Sequence, residues 1–298
     1  MKSYKALLLI MLLVFSLLIV GCDVDSPVLP SHTPITSKGP EETIKPSPIE
    51  EILVDEELVF DDEDIKIWVK SFDDNGIFGP SLELLIENNR EEDIMVQVRG
   101  TTVNDVVVNT IFSVNVSAGK EASKDITLMQ SSLDKAGIEL VKDIELRFII
   151  SDGDNWATIL ATDPIKISTS VDPSFKQEYD DSGQLILDQD GIRIIVRGID
   201  NEDTLWGASV ELFIENNQDQ GIRVQAKDVS VNGFAIDSLL SSEIPASKKA
   251  YAEISFAEAD LKEHDIKTIE EIEMVLHISE IESWDSLLIS DPITVSFK

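Results

Sequence analysis

The chain has 298 residues, with 57 acidic side chains against 24 basic ones and a formal net charge of −33. A field of that sign repels nucleic acid and anionic lipid head groups, which removes both from the partners to be considered. Hydrophobic residues make up 43% of the chain, too many for a disordered protein and enough for two ordinary cores.

Lys2 and Lys5 precede an almost unbroken apolar stretch from Ala6 to Val20, the layout of a secretory signal. A membrane-spanning helix needs about 20 apolar residues. This run is shorter and stops at Gly21-Cys22 rather than at a basic cluster. Cys22 is the only cysteine, so no intramolecular disulfide can form. The residues Ile19-Val20-Gly21-Cys22 resemble the lipobox of bacterial lipoproteins. The resemblance implies removal of residues 1–21, a diacylglycerol thioether on Cys22, and a membrane lipid anchor on the extracytoplasmic face of a bacterial cell. Two or three acyl chains hold a soluble domain on a membrane stably where one does not.

Residues 22–52 carry Pro27, Pro30, Pro34, Pro40, Pro46 and Pro48 among Ser, Thr, Lys and Glu, with no helical or strand periodicity. This composition predicts a disordered, extended tether. At about 3 Å per residue it would reach up to roughly 90 Å.

A duplication follows. Gly79-Pro80-Ser81-Leu82-Glu83-Leu84-Leu85-Ile86-Glu87-Asn88-Asn89 matches Gly207-Ala208-Ser209-Val210-Glu211-Leu212-Phe213-Ile214-Glu215-Asn216-Asn217, an offset of 207 − 79 = 128. The offset then holds without a gap. Val103-Asn104 meets Val231-Asn232, Trp156 meets Trp284, and Asp163-Pro164-Ile165 meets Asp291-Pro292-Ile293. The period far exceeds that of solenoid repeats, so each copy is expected to be a domain of its own, at 53–171 and 172–298.

Within each copy the apolar residues alternate at period two. Ile65, Ile67 and Val69 interleave with Lys66, Trp68 and Lys70, as Leu82, Leu84 and Ile86 do with Glu83, Leu85 and Glu87. That pattern predicts strands with one buried face. Further strands are expected near 94–99, 106–116, 121–129, 143–151 and 159–169, with a strand over 192–197 opening the second copy. Short helices are expected at 131–136 and 258–263, the first closed by Gly137. The fold class is therefore all-β: two tandem immunoglobulin-like β-sandwich domains, each with one short helix. The Ile-Glu-Asn-Asn, Val-Asn and Asp-Pro-Ile segments make residues 57–298 resemble the tandem immunoglobulin-like domains of uncharacterised surface lipoproteins of Gram-positive bacteria such as clostridia. That resemblance implies an extracytoplasmic binding role.

Catalytic chemistry finds little to stand on. His32 lies in the tether, and His264 and His277 stand where the first copy has Ala136 and Ile149, so a site shared by both copies contains no histidine. No Gly-x-Ser-x-Gly and no phosphate-binding glycine loop occurs. The chain reads as no enzyme.

Acidic clusters at 61–64, 73–75, 152–155 and 188–191 are of the composition that solvated turns require. The competing reading is calcium, for which Asp180, Asp181, Asp188 and Asp190 at the repeat junction are the expected ligands. Trp68, Leu85, Ile195 and Phe213 are large apolar residues on the face that alternation assigns to solvent. They are either covered by a loop or the other domain, or form a binding surface for an extracellular protein or cell-wall glycan. Repetition of Trp156 and Trp284 favours a packing role over ligand stacking. The expected function is non-catalytic binding by a lipid-anchored protein. The alternative is a cation- or solute-binding accessory lipoprotein of a transporter or envelope sensor. No cofactor beyond calcium is implied.

Overall fold

The computed structural model describes residues 51–200 and 207–297. Cys22, His32 and nearly all of the tether lie outside the described residues.

The first copy runs β1 (Glu57–Asp62), β2 (Ile65–Asp73), β3 (Ser81–Asn88), β4 (Ile94–Val103), β5 (Val106–Val107), β6 (Thr110–Ile111), β7 (Ser113–Val116) and β8 (Lys120–Leu128). Then come α1 (Gln130–Lys135), β9 (Asp143–Asp152), β10 (Thr158–Ala161) and β11 (Ile165–Ser168). The second copy repeats the series as β12 (Gln184–Gln189), β13 (Ile192–Asp200), β14 (Ser209–Asn216), β15 (Ile222–Val231), β16 (Phe234–Ala235), β17 (Ser238–Leu239) and β18 (Ser241–Ile244). It closes with β19 (Lys249–Phe256), α2 (Glu258–Glu263), β20 (Glu271–Glu280), β21 (Ser286–Ile289) and β22 (Ile293–Ser296).

In the first copy β1-β2-β3-β8-β6 form one sheet, while β4, β9, β10 and β11 form the facing one, with β7 paired to β4. Taking β2, β3 and β8 as strands A, B and E, and β4, β9 and β10/β11 as C, F and G, the order is that of an immunoglobulin sandwich. The fold is all-β. The stretch near 106–116 breaks into three short strands, and that near 159–169 splits in two at Asp163-Pro164, where proline has no N–H to give the ladder. β1 and β12 are absent from the sequence-based expectation: β1 has acidic residues at both ends, and β12 is a short Leu-Ile-Leu run between polar residues. Glu63 and Asp64 between β1 and β2 take positive φ (50° and 59°), so that acidic cluster is a tight turn.

Each sandwich has its own core. The first is built from Ile65, Ile67, Leu84, Ile86, Ile126, Ile144 and Phe148, and the second from Ile192, Ile194, Leu212, Ile214, Ile254, Ile272 and Leu276, all buried. Leu133 of α1 and Leu261 of α2 plug the same end of each. Residues 49–298 nevertheless form one compact unit. A parallel bridge from Val106 of β5 to Lys249 of β19 joins the second sheet of the first copy to the first sheet of the second, making one 11-stranded sheet.

The segments repeated in both copies have structural work to do, with one exception. Asn88 and Asn216 are buried amides. Asn88 donates to the carbonyls of Glu92 and Val116 at 2.9 Å each, and Asn216 to those of Gln220 and Pro245, also at 2.9 Å. Asn104 and Asn232 sit at φ 49° and 51°, and each accepts two backbone N–H groups of the following crossover. A Cβ on Gly79 or Gly207 would lie 2.0 or 2.1 Å from a carbonyl oxygen, so only glycine fits. The exception is Trp156 and Trp284.

Candidate binding site at the junction of the two sandwiches

The four apolar residues expected to face solvent divide by copy. Trp68 and Leu85 lie opposite each other on β2 and β3 and are half-buried, and the Trp68 indole N–H donates to Glu87 Oε1 at 3.0 Å. Their counterparts Ile195 and Phe213 are also paired, but only 2% and 1% exposed. As a partner surface that half of the set is corrected: both are covered. The covering is the inter-repeat segment 172–183. Lys142 Nζ anchors its start on the Pro173 and Phe175 carbonyls (2.8 and 3.0 Å), and the Tyr179 hydroxyl donates to the Asn104 carbonyl at 2.9 Å. The Asp180 N–H donates to the Tyr251 hydroxyl at 3.0 Å, and the Tyr251 ring lies 5.2 Å from that of Phe213. Where the strap ends, a Cβ on Gly183 would come within 2.9 Å of Ile195 Cγ2. The strap is thus a lid in van der Waals contact with β13.

The strap also takes the carboxylates proposed for calcium. Asp180 pairs with Arg197 at 2.6 Å and Asp181 with Arg193 at 2.9 Å. Hydrogen bonds from Ser182, with the Arg197 guanidinium beside it, hold the Asp180 carboxyl down to about 2. Asp188 and Asp190 flank the β12–β13 turn instead, where Asp190 accepts from the Gln189 amide. Among the described residues no three His, Cys, Asp or Glu side chains converge as a metal-ligand group. Two guanidinium groups pair with the carboxylates nearest the junction, so the four expected ligands are not brought together.

The weld between sandwiches is ionic around one backbone bond. The Lys249 N–H donates to the Asp105 carbonyl at 2.9 Å. Lys248 Nζ reaches Asp105 and Glu145 at 2.7 and 3.0 Å, Arg147 meets Glu282 at 3.3 Å, and Lys135 pairs with Glu253. Burial by itself would lower the Lys248 pKa, but its two carboxylate partners outweigh it and raise the value.

Beside the weld lies a cleft of about 640 Å³, floored by Leu146, Pro164, Pro245 and Ile281. That size is within the range of ligand sites, and domain interfaces are where such sites occur. Most of its charges are spent: Glu145 on Lys248, Glu282 on Arg147, and Glu243 on Arg223 at 2.6 Å. Arg99 is different. It is exposed into the cleft directly opposite Arg147 in the β4–β9 register, and alone among the arginines it has no ion pair among the described residues. Like charges placed opposite on a sheet repel, so Arg99 stays unpaired in a cleft whose lining also holds the carboxylates of Asp219 and Glu280.

The hairpin that walls this cleft with Glu280, Ile281 and Glu282 ends in Trp284. Trp284 and its counterpart Trp156 are 63% and 67% exposed, so the packing role expected from their repetition does not hold. Both loops are built alike. The Trp156 N–H bonds the Asp152 carbonyl at 3.1 Å and the Trp284 N–H bonds that of Glu280 at 3.2 Å, which puts each tryptophan at positive φ (65° and 62°). The carboxylate at the base of each loop gathers its backbone amides. Asp152 accepts from Asn155 and Asp154, Glu280 from Ser283 and Glu282, and these bonds hold both carboxyls below their usual range. The Arg223 guanidinium stacks 3.4 Å from the centre of the Trp284 ring, leaving its Nη1 without a hydrogen-bond acceptor.

Ile77 and Phe78 on the β2–β3 loop, 94% and 67% exposed, lie outside every pattern read from the residues in order. His264 stacks on Phe234 at 4.9 Å and His277 lies half-buried on β20, so neither faces the cleft.

No protein-family model matches the chain, and no curated protein matches it. Among solved structures it is similar to the YadV chaperone, at 10% identity over 73% of this chain and 92% of that one, with a TM-score of 0.22. It is also similar to the Salmonella enterica SafA pilin in complex with the SafB chaperone (13% identity, 73% and 89% covered, TM-score 0.21). A protein of unknown function from Porphyromonas gingivalis W83 gives 12% identity, 73% and 91% coverage and a TM-score of 0.21. Overlaps this loose carry nothing about partners or activity.

Proposed function

We propose that the chain is a lipid-anchored, extracytoplasmic binding protein that presents a rigid pair of sandwiches to a protein or glycan partner and performs no catalysis. The observation that carries the reading is the welded junction, which sets a cleft of about 640 Å³ between two fixed walls. A binding site gains from such rigidity because little freedom is lost when the partner docks. The anchor rests on Cys22 and the residues before it. The cation-binding alternative is weaker, since the junction carboxylates are held by arginines and lysines.

Two measurements test this. Cys22→Ala is expected to release the protein from the membrane fraction into the medium, and an unchanged membrane fraction overturns the anchor. The full chain is expected to retain a defined component from cell-wall and secreted fractions, with retention weakened by Arg99→Glu in the cleft. No retention overturns the binding reading, and equal retention by Arg99→Glu moves the site elsewhere.

A further inference from the structure

Trp156 and Trp284 are held in a conformation that the rest of the fold does not require of them. Positive φ is rare for a bulky side chain, and glycine or asparagine fills such a loop position without strain. Both rings project from the same hairpin of each copy, and neither indole N–H meets a partner among the described residues. The repeated pairs Asn88/Asn216, Asn104/Asn232 and Gly79/Gly207, by contrast, are hydrogen-bonded or sterically confined. Strain that persists twice, at exposed aromatic residues, points to use rather than packing.

The surroundings narrow the ligand. Trp156 follows Asp152, Gly153, Asp154 and Asn155, and Trp284 is flanked by Glu280, Glu282, Ser283 and Asp285. A protein hot spot needs a contiguous apolar patch with a rim that excludes water; the Trp156 hairpin exposes no other large apolar residue, and the Trp284 hairpin adds only Leu287 and Ile289 on β21. A sugar needs the reverse: one flat electron-rich face for its C–H bonds and several acceptors for its hydroxyls. One face of Trp284 is backed by the Arg223 guanidinium, which fixes the ring and leaves the other side free. With a net charge of −33, the field opposes polyanionic glycans.

We propose that Trp156 and Trp284 are paired stacking platforms for a neutral polysaccharide. The inference rests on the binding reading above and names its ligand class. Glu282, beside Trp284, touches Arg147 at the junction, whereas the Trp156 loop leaves the far end of β9 at Asp152. Arg147 and Asp152 are about 17 Å apart along β9, so the two platforms stand at separate places on one body. A long polymer engages both at once, while a short oligomer reaches only one, so affinity rises with chain length.

The test is affinity electrophoresis of the full chain in mild detergent, through native gels cast with hydroxyethylcellulose, laminarin, xylan or glycogen, and with polygalacturonate as the anionic control. Retardation by at least one neutral polymer is expected, at least tenfold weaker for Trp156→Gly or Trp284→Gly and absent in the double variant. Glycine suits the backbone at both positions, and thermal melting of each variant confirms the fold. No retardation in any neutral gel, equal retardation of the double variant, or equal retardation by polygalacturonate overturns the proposal. A wall protein captured equally by wild type and double variant, without glycan retardation, removes the glycan inference and leaves the binding reading standing.

Discussion

At the scale of single residues, three side chains separate structure from use. Asn216 is a buried amide tied to three carbonyls, Gln220, Ile244 and Pro245. Asn216→Ala leaves those acceptors without their donor, and a loss of about 2 kcal/mol is expected in urea unfolding. Trp156 behaves in the opposite sense. Trp156→Asn places a residue tolerant of positive φ where a bulky one is strained, so stability is expected to hold or rise by about 1 kcal/mol. A clear fall in the unfolding midpoint would show that the ring packs after all. Arg223 stands where the first copy has Met95, which is buried without a charge to satisfy. Arg223→Met exchanges the buried end of a half-exposed ion pair for an apolar chain of similar length, a change that is often close to neutral. A change below about 1 kcal/mol is expected by the same measurement.

At the scale of elements, the strap and the two tryptophan hairpins share one sensitivity. Asp180 in the strap, Asp152 and Glu280 in the hairpins, and Asp172 all have carboxyls depressed by hydrogen bonds made only in the folded state. A group whose folded pKa is depressed contributes stability above its unfolded value, near pH 4, and loses it as pH falls through the folded value. For Asp180 that loss continues down to about 2. Amide hydrogen exchange at Asn155, Ser283 and Ser182 is therefore expected to lose protection as pH falls below about 4, before the sandwich strands do. Uniform loss across strands and loops would mean these carboxylates do not secure the elements they cap.

At the scale of the whole molecule, the weld belongs to this pair of copies and not to the repeat as such. Lys135 faces Glu253 at the junction, while their counterparts in the other copies are Glu263 and Asp125. Asp105, which holds Lys248, is replaced by Gly233. A second chain docking on the free end in the same manner would set Glu263 against Asp125. Like charges in contact disfavour it, so the chain is expected to sediment as a monomer at moderate salt. Concentration-dependent growth into longer species would contradict the argument. Lys248→Met removes its two ion pairs at the weld, leaving Arg147–Glu282 and Lys135–Glu253, and calorimetry is expected to resolve two transitions where the wild type shows one.

Period-two alternation was sufficient to place the two cores, because a strand buried on one face must repeat its apolar residues every second position. Constant spacing between copies established that whatever one sandwich does locally, the other does as well. Alternation could not say that Ile195 and Phe213 are covered while Trp68 and Leu85 are only half so, since the strap reaches the second copy alone. Nor could local composition distinguish Asp180 bonded to Arg197 from a carboxylate awaiting calcium, because the partner is 17 residues away and meets it only after β13 has folded back. The duplication and the all-β class were legible from the residues in order, each being a periodic property. The weld, the cleft beside it and the exposure of Trp156 and Trp284 depend on which distant surfaces come to rest together, and that is settled by three-dimensional packing.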